Sequence, residues 1–348
     1  MSNTEPSPMQ PCLAHGHRRG ARWLLVLWVS FALSACGKGQ LSEQDKKTLA
    51  QLRHNGIAFD DKATKREHGA LVIDQPTITG SDGTTTRAKR LVIRQYDMAH
   101  PNPYAVNATL EGVLLPLPDV PVPEIAPGKP PADPAASGKK GLSASSLATN
   151  PALADALENG HIPLNATLHY QYDEQARRLR LEDFSLQSPR LFGLSLQITM
   201  SDFDPVFFQQ NERLGLLKPT ELLNKAAAES RLDNAALTYT DRSMVERIFT
   251  LLGEQQHVTP QVVRDGLKGA LSMAIMSSQV QGDAFMRDAL MAISSFLEHP
   301  GTLKLTAHPS EPVRMGKLQA QGEQWKRNPA ALVQTLGIKL EALPAPAS

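Results

Sequence analysis

The sequence predicts an α+β fold: a curved antiparallel sheet, laid down as a meander, packed against a C-terminal helical subdomain. Three observations carry this expectation. Residues 162–200 alternate apolar and polar side chains, which puts one row on a core and the other in solvent. Residues 219–298 are rich in Ala and Leu and punctuated by helix-start signals such as Thr259-Pro260. Residues 116–145 hold a Pro-rich linker or loop that separates an earlier β segment, residues 70–115, from an α+β domain at residues 146–344.

The N-terminal segment comes first in order. Arg18, Arg19 and Arg22 precede an apolar run at residues 23–35 whose only polar members are Ser30 and Ser34. A membrane span needs about 20 apolar residues. The run is too short for that and suits the core of a signal peptide, residues 1–35; the alternative is a core helix of a soluble protein. Leu33-Ser34-Ala35-Cys36 closes the run and resembles a bacterial lipobox. The resemblance implies cleavage between Ala35 and Cys36. Cys36 would then open the mature chain and carry a diacylglyceryl thioether and an acylated amino group. Several acyl chains anchor stably where one is marginal, so the implied partner is a membrane. The chain has two cysteines, and losing Cys12 with the leader would leave Cys36 without a disulfide partner. The Asp that marks inner-membrane retention in this family is missing after the cysteine, where Gly37 and Lys38 stand. The implied place is the outer membrane, facing the periplasm.

Residues 36–69 read as an anchor-proximal tether or a short helix, with Leu41, Leu49 and Leu52 set among charges. Residues 70–79, 88–98 and 105–115 are rich in Val, Ile, Thr and Leu and read as strands. Asn150-Pro151 and Asn328-Pro329 each supply a helix cap followed by Pro at the first helical position. In the meander, Leu164, Ala166, Leu168, Tyr170 and Tyr172 share a face, and a one-residue slip near Glu182-Asp183 predicts a bulge. The apolar face of that meander must be covered, and the helical part is the expected cover. Ser243 and Glu246 have the spacing of a capping box that opens a helix. Residues 301–308 and 337–342 read as terminal strands.

Candidate chemistry is sparse. Lys and Arg number 36 against 35 Asp and Glu, a balance that gives no footing for nucleic acid. Ser137 to Lys140 fits a serine-enzyme SxxK, but its partner motifs are missing and it lies in the Pro-rich stretch. Asp202 and Asp204 could reach one calcium ion, although Asp204-Pro205 reads better as a helix start. Met273, Met276, Met286 and Met291 cluster in the last two long helices, where adaptable side chains suit an apolar groove or ordinary core filling. No catalytic residues, metal ligands or cofactor are expected.

The stretch LTYTDRSMVERI at residues 237–248 and HPGTL at residues 299–303 resemble uncharacterised proteobacterial envelope proteins over residues 162–343. That resemblance implies no activity. The expected function is a non-enzymatic envelope binding or scaffold protein engaging a partner protein. The alternative is a lipid- or amphiphile-binding lipoprotein with its groove between the sheet and the Met-rich helices.

Overall fold

Aliphatic and β-branched residues at two-residue spacing build the strands of one large antiparallel sheet, and Ile57–Ala58, Thr77–Thr79 and Thr85–Arg87 form a second, smaller one. The computed structural model describes residues 41–54, 56–79, 85–100, 102–116, 150–205, 228–277, 283–321 and 328–344. The strands are β1 (Ile57–Ala58), β2 (Thr64–Glu67), β3 (Ala70–Asp74), β4 (Thr77–Thr79), β5 (Thr85–Arg87), β6 (Arg90–Tyr96), β7 (Ala105–Pro116), β8 (His161–Asp173), β9 (Arg178–Ser188), β10 (Phe192–Ser201), β11 (Arg231–Asp241), β12 (Thr302–Ala307), β13 (Val313–Arg314) and β14 (Ile338–Leu343). The helices are α1 (Glu43–His54), α2 (Pro151–Ala154), α3 (Met244–Gln256), α4 (Pro260–Met276), α5 (Ala284–Glu298), α6 (Met315–Ala320) and α7 (Pro329–Leu336).

The main sheet has 11 strands and is open, in the order β14-β12-β11-β10-β9-β8-β7-β6-β3-β2 with β13 beside β11. The fold is α+β as expected, with most of its helices C-terminal. The early β segment and the later meander are not separate units. β7 pairs with β8 along most of its length, from Ala105↔Gln171 to Pro116↔His161, and joins them into one sheet. Residues 41–54 are also part of this body: Leu49 and Leu52 of α1 pack on Leu71, Ile73, Leu91 and Ile93. The Pro-rich residues 117–149 and residues 206–227, which include the helix expected after Asp204-Pro205, lie outside the described residues.

Bulges bend the long strands. The β8–β9 register slips between His169 and Tyr170, which face Asp183 and Leu181, so Glu182 is the extra residue at the predicted place. A second bulge sits at Glu111-Gly112 of β7. Gly112 takes φ +65° there, and its N–H donates to Asn165 Oδ1 at 2.9 Å. The Lys89 side chain crosses where a Cβ would stand, so the position needs glycine twice over.

The helix starts follow the Asn-Pro and Thr-Pro signals. Asn150 accepts from the Ala152 N–H at 2.7 Å, and Asn328 from that of Ala331 at 3.2 Å. Thr259 and Asp283 cap α4 and α5. The expected capping box at Ser243 and Glu246 does not form. Ser243 Oγ instead donates to Arg190 O at 2.5 Å and accepts from Arg247 Nε at 2.8 Å. Asp241, the last residue of β11, accepts from the Val245 N–H at 3.0 Å and takes over the cap. A reciprocal capping box occurs at the other end of the chain. Asp45 N–H donates to Ser42 Oγ at 3.1 Å, and Ser42 N–H and Oγ both donate to Asp45 Oδ2 at 2.8 Å.

Candidate ligand-binding face

Register decides what each face of the sheet presents. One row of directly opposed residues runs across nine strands: Leu71, Ile93, Ala108, Leu168, Phe184, Leu196, Leu237, Leu305 and Leu340. Every member is apolar. The row two residues to one side is also apolar, from Ile73 and Leu91 through Leu186 and Leu194 to Tyr239, Leu303 and Ala342. So is the row on the other side, which includes Val106, Tyr170, Leu181, Ile198, Ala235, Ala307 and Ile338. The opposite face of the sheet carries Thr109, Thr167, Ser185, Ser195 and Thr238 at the intervening positions.

The flanking rows are walled and the central row is not. On one side Tyr239, Leu303 and Ala342 pack under Val245 and Phe249 of α3, Val263 of α4 and Phe296 of α5. On the other, Tyr104, Phe203 and Met315 pack with Tyr170, Tyr172, Leu179, Ile198 and Met200. α1 closes one end by covering Leu71 and Ile93. Between these walls Leu168, Phe184, Leu237 and Leu305 remain 37–38% exposed. Among the described residues, the helices and the residues around Tyr104 and Phe203 cover the apolar face at its margins and leave a strip along its middle, where sequence patterning expected the helical part as cover. From β8 to β12 the strip crosses four interstrand spacings, about 19 Å, and adjacent rows on the same face lie about 7 Å apart along each strand.

Among the described residues the side chains of the strip offer no free hydrogen-bonding group. Tyr170 OH donates to Pro103 O at 2.8 Å, and Tyr172 OH to Phe203 O at 3.2 Å. Tyr239 OH donates to Asp241 Oδ1 at 3.1 Å. Burial pushes the Tyr172 phenol up to about 12 and raises that of Tyr170 as well. Burial, followed by the Asp241 carboxylate, raises that of Tyr239. These phenols stay protonated and turn their rings, not their hydroxyls, to the apolar layer.

None of Met273, Met276, Met286 and Met291 is among the residues that pack in the two walls. Met273 and Met276 stand on the outer side of α4, 71% and 75% exposed, because α4 turns Val263 and Leu267 inward. Met286 and Met291 of α5 are 38% and 47% exposed. Ala35 and Cys36 lie outside the described residues. Asp202 faces Arg231 at 3.0 Å. Lys89 pairs with Glu158 at 2.8 Å, Arg90 with Glu67, and Arg94 donates to Thr109 Oγ1 at 3.2 Å. Among the described residues no group of His, Cys, Asp or Glu gathers to hold a metal ion. The same residues include no helix long and apolar enough to cross a membrane.

A family model described as "Uncharacterized protein" matches residues 185–343. The match begins inside β9 and takes in the remaining strands through β14 together with α3 to α7, which includes the helical wall of the strip. It agrees with the expected likeness to uncharacterised proteins, and its description carries no activity. A search among curated proteins finds no match to the chain.

Proposed function

We propose that this chain is a lipid-anchored bacterial envelope protein that binds an amphiphile by laying its alkyl chain along the open strip. The observation that carries this reading is the central row, apolar on nine strands, with Leu168, Phe184, Leu237 and Leu305 left exposed between two walls. Single exposed hydrophobic residues are ordinary, whereas several exposed in one row mark an interaction surface, of which a ligand groove is one kind. Its chemistry selects the occupant. A peptide laid there would bury N–H and C=O groups against Leu and Phe with nothing to pair them, at a cost of several kcal/mol for the segment. An alkyl chain has no such groups. The exposed length of about 19 Å also exceeds the roughly 15 Å of one bilayer leaflet's hydrocarbon, so one acyl chain of ordinary length fits.

The envelope part of the reading rests on Leu33-Ser34-Ala35-Cys36. Cys36→Ala is expected to abolish metabolic labelling with a radioactive fatty acid. Labelling that persists at the parent level would remove the anchor.

The ligand is tested by mass spectrometry of a gentle organic extract of the natively purified full chain. Extraction leaves covalent acyl groups on the protein, so a released lipid is a bound one. A near-stoichiometric amphiphile, missing from control proteins prepared alongside, is expected. An empty protein would turn attention to the scaffold reading, for which the exposed face of Val262, Met273 and Met276 on α4 supplies a protein-docking surface.

A further inference from the structure

The open sheet has two edges, and they differ. β2 is a four-residue edge of sequence TKRE, short and charged in the manner that blunts pairing. β14 is a six-residue edge of sequence IKLEAL, and among the described residues it pairs only with β12. On its apolar side Ile338, Leu340 and Ala342 end the three rows of the strip face. On its other side stand Lys339 and Glu341, exposed and without an ion-pair partner among the described residues.

We infer that β14 pairs with β14 of a second copy of this chain, antiparallel, about a two-fold axis through Leu340. The sequence of the strand is self-complementary in this register. Lys339 of each copy falls opposite Glu341 of the other, so two cross-strand ion pairs form on one face. On the opposite face Leu340 meets Leu340, and Ile338 meets Ala342. The contact is isologous and closes as a dimer. It also satisfies the outward N–H and C=O groups of the edge. The central apolar row continues from Leu305 through Leu340 into the same residues of the second copy, so the two strips join end to end. That last consequence rests on the proposed amphiphile reading; the pairing itself does not.

An edge of six residues is small beside the roughly 1,600 Å² of a standard interface. The dimer is therefore weak at dilution and strengthens where both copies are held close. Cross-linking in the full chain tests it, in membranes of expressing cells and in purified protein at rising concentration. Directly opposed Cα atoms on antiparallel strands are about 4.5–5.5 Å apart, inside disulfide range. Leu340→Cys is expected to give a disulfide dimer on a non-reducing gel. Leu305→Cys, in the same row one strand inward, lies about 14 Å from its copy and is expected to give only the background of the parent chain. Lys339→Glu on the Leu340→Cys background is expected to cut the dimer about tenfold by setting like charges opposite each other twice. Adding Glu341→Lys reverses both partners and is expected to restore it. Equal cross-linking at Leu305 and Leu340, no dimer above the parent at any concentration, or a charge reversal that does not rescue would each overturn the pairing. None of these outcomes depends on whether a lipid is bound.

Discussion

Leu237→Glu is expected to weaken binding of a fluorescent palmitate analogue at least tenfold while moving the unfolding midpoint little. Leu237 sits near the middle of the exposed row, between Leu196 and Leu305. Its side chain is already 37% exposed, so a carboxylate there keeps contact with water in the empty protein. Substitutions at such positions change stability by about 1 kcal/mol or less. With an alkyl chain in the strip, the same carboxylate loses its water against hydrocarbon. That costs several kcal/mol, and about 1.4 kcal/mol already amounts to tenfold in affinity. The neighbouring residue supplies the control. Thr238 points to the opposite face, between Ser195 and Lys304. Thr238→Glu introduces the same charge on the same strand and is expected to leave probe binding unchanged. Equal losses in the two variants would mean that the strip is not the site, as would full binding by Leu237→Glu.

The contrast between Leu237 and Thr238 was legible from alternation, and so was most of the sheet. The meander, the bulge at Glu182 and the Asn-Pro and Thr-Pro helix starts all follow from local chemistry that a short window contains. What local chemistry omits is how much of a face gets covered. Alternation assigned Leu168 to the apolar side, but its exposure depends on where α3 and α5 land, which is a matter of tertiary packing around Phe296 and Tyr239. Met273 and Met276 show the same limit: their spacing says helix, and only the inward turn of Val263 and Leu267 says which side of α4 faces out. The β7–β8 pairing joins residues on both sides of the long Pro-rich stretch and leaves no local trace. The two capping boxes show competition between neighbours. Ser243 has the expected spacing to Glu246, yet the Asp241 carboxylate lies closer to the free N–H groups and takes the cap. Ser42 and Asp45 complete the motif with Asp in place of the usual Glu or Gln.

That second box also carries the largest expected effect on stability. Asp45 has only 4% of its side chain exposed, and its carboxylate holds two partners at once. It accepts from Ser42, and Arg66 of β2 donates from Nε to Oδ2 at 3.0 Å and from Nη2 to Oδ1 at 3.1 Å. One carboxylate thus caps α1 and ties it to the sheet edge. Burial raises its pKa, but the Arg66 guanidinium and the Ser42 hydroxyl and N–H outweigh burial and leave it below the ordinary Asp value. Asp45→Ala removes the cap and the charged hydrogen bonds and is expected to cost about 2–3 kcal/mol in denaturant unfolding at pH 7. The pH dependence has a definite sign. A carboxyl whose folded pKa is depressed contributes fully above its unfolded value, near 3.9, and its contribution fades as pH falls through the folded value. The gap between parent and Asp45→Ala is therefore expected to stay constant above about pH 5 and to narrow on acidification below about pH 4. A gap that keeps its full size into that acid range would show that the charge on Asp45 does not hold α1 in place. Because α1 also ends the strip by covering Leu71 and Ile93, loosening it extends the exposed row toward β3. The same variant is then expected to take up more of an apolar fluorescent dye at pH 7 before global unfolding begins, which ties the stability of α1 to the length of apolar surface the protein presents.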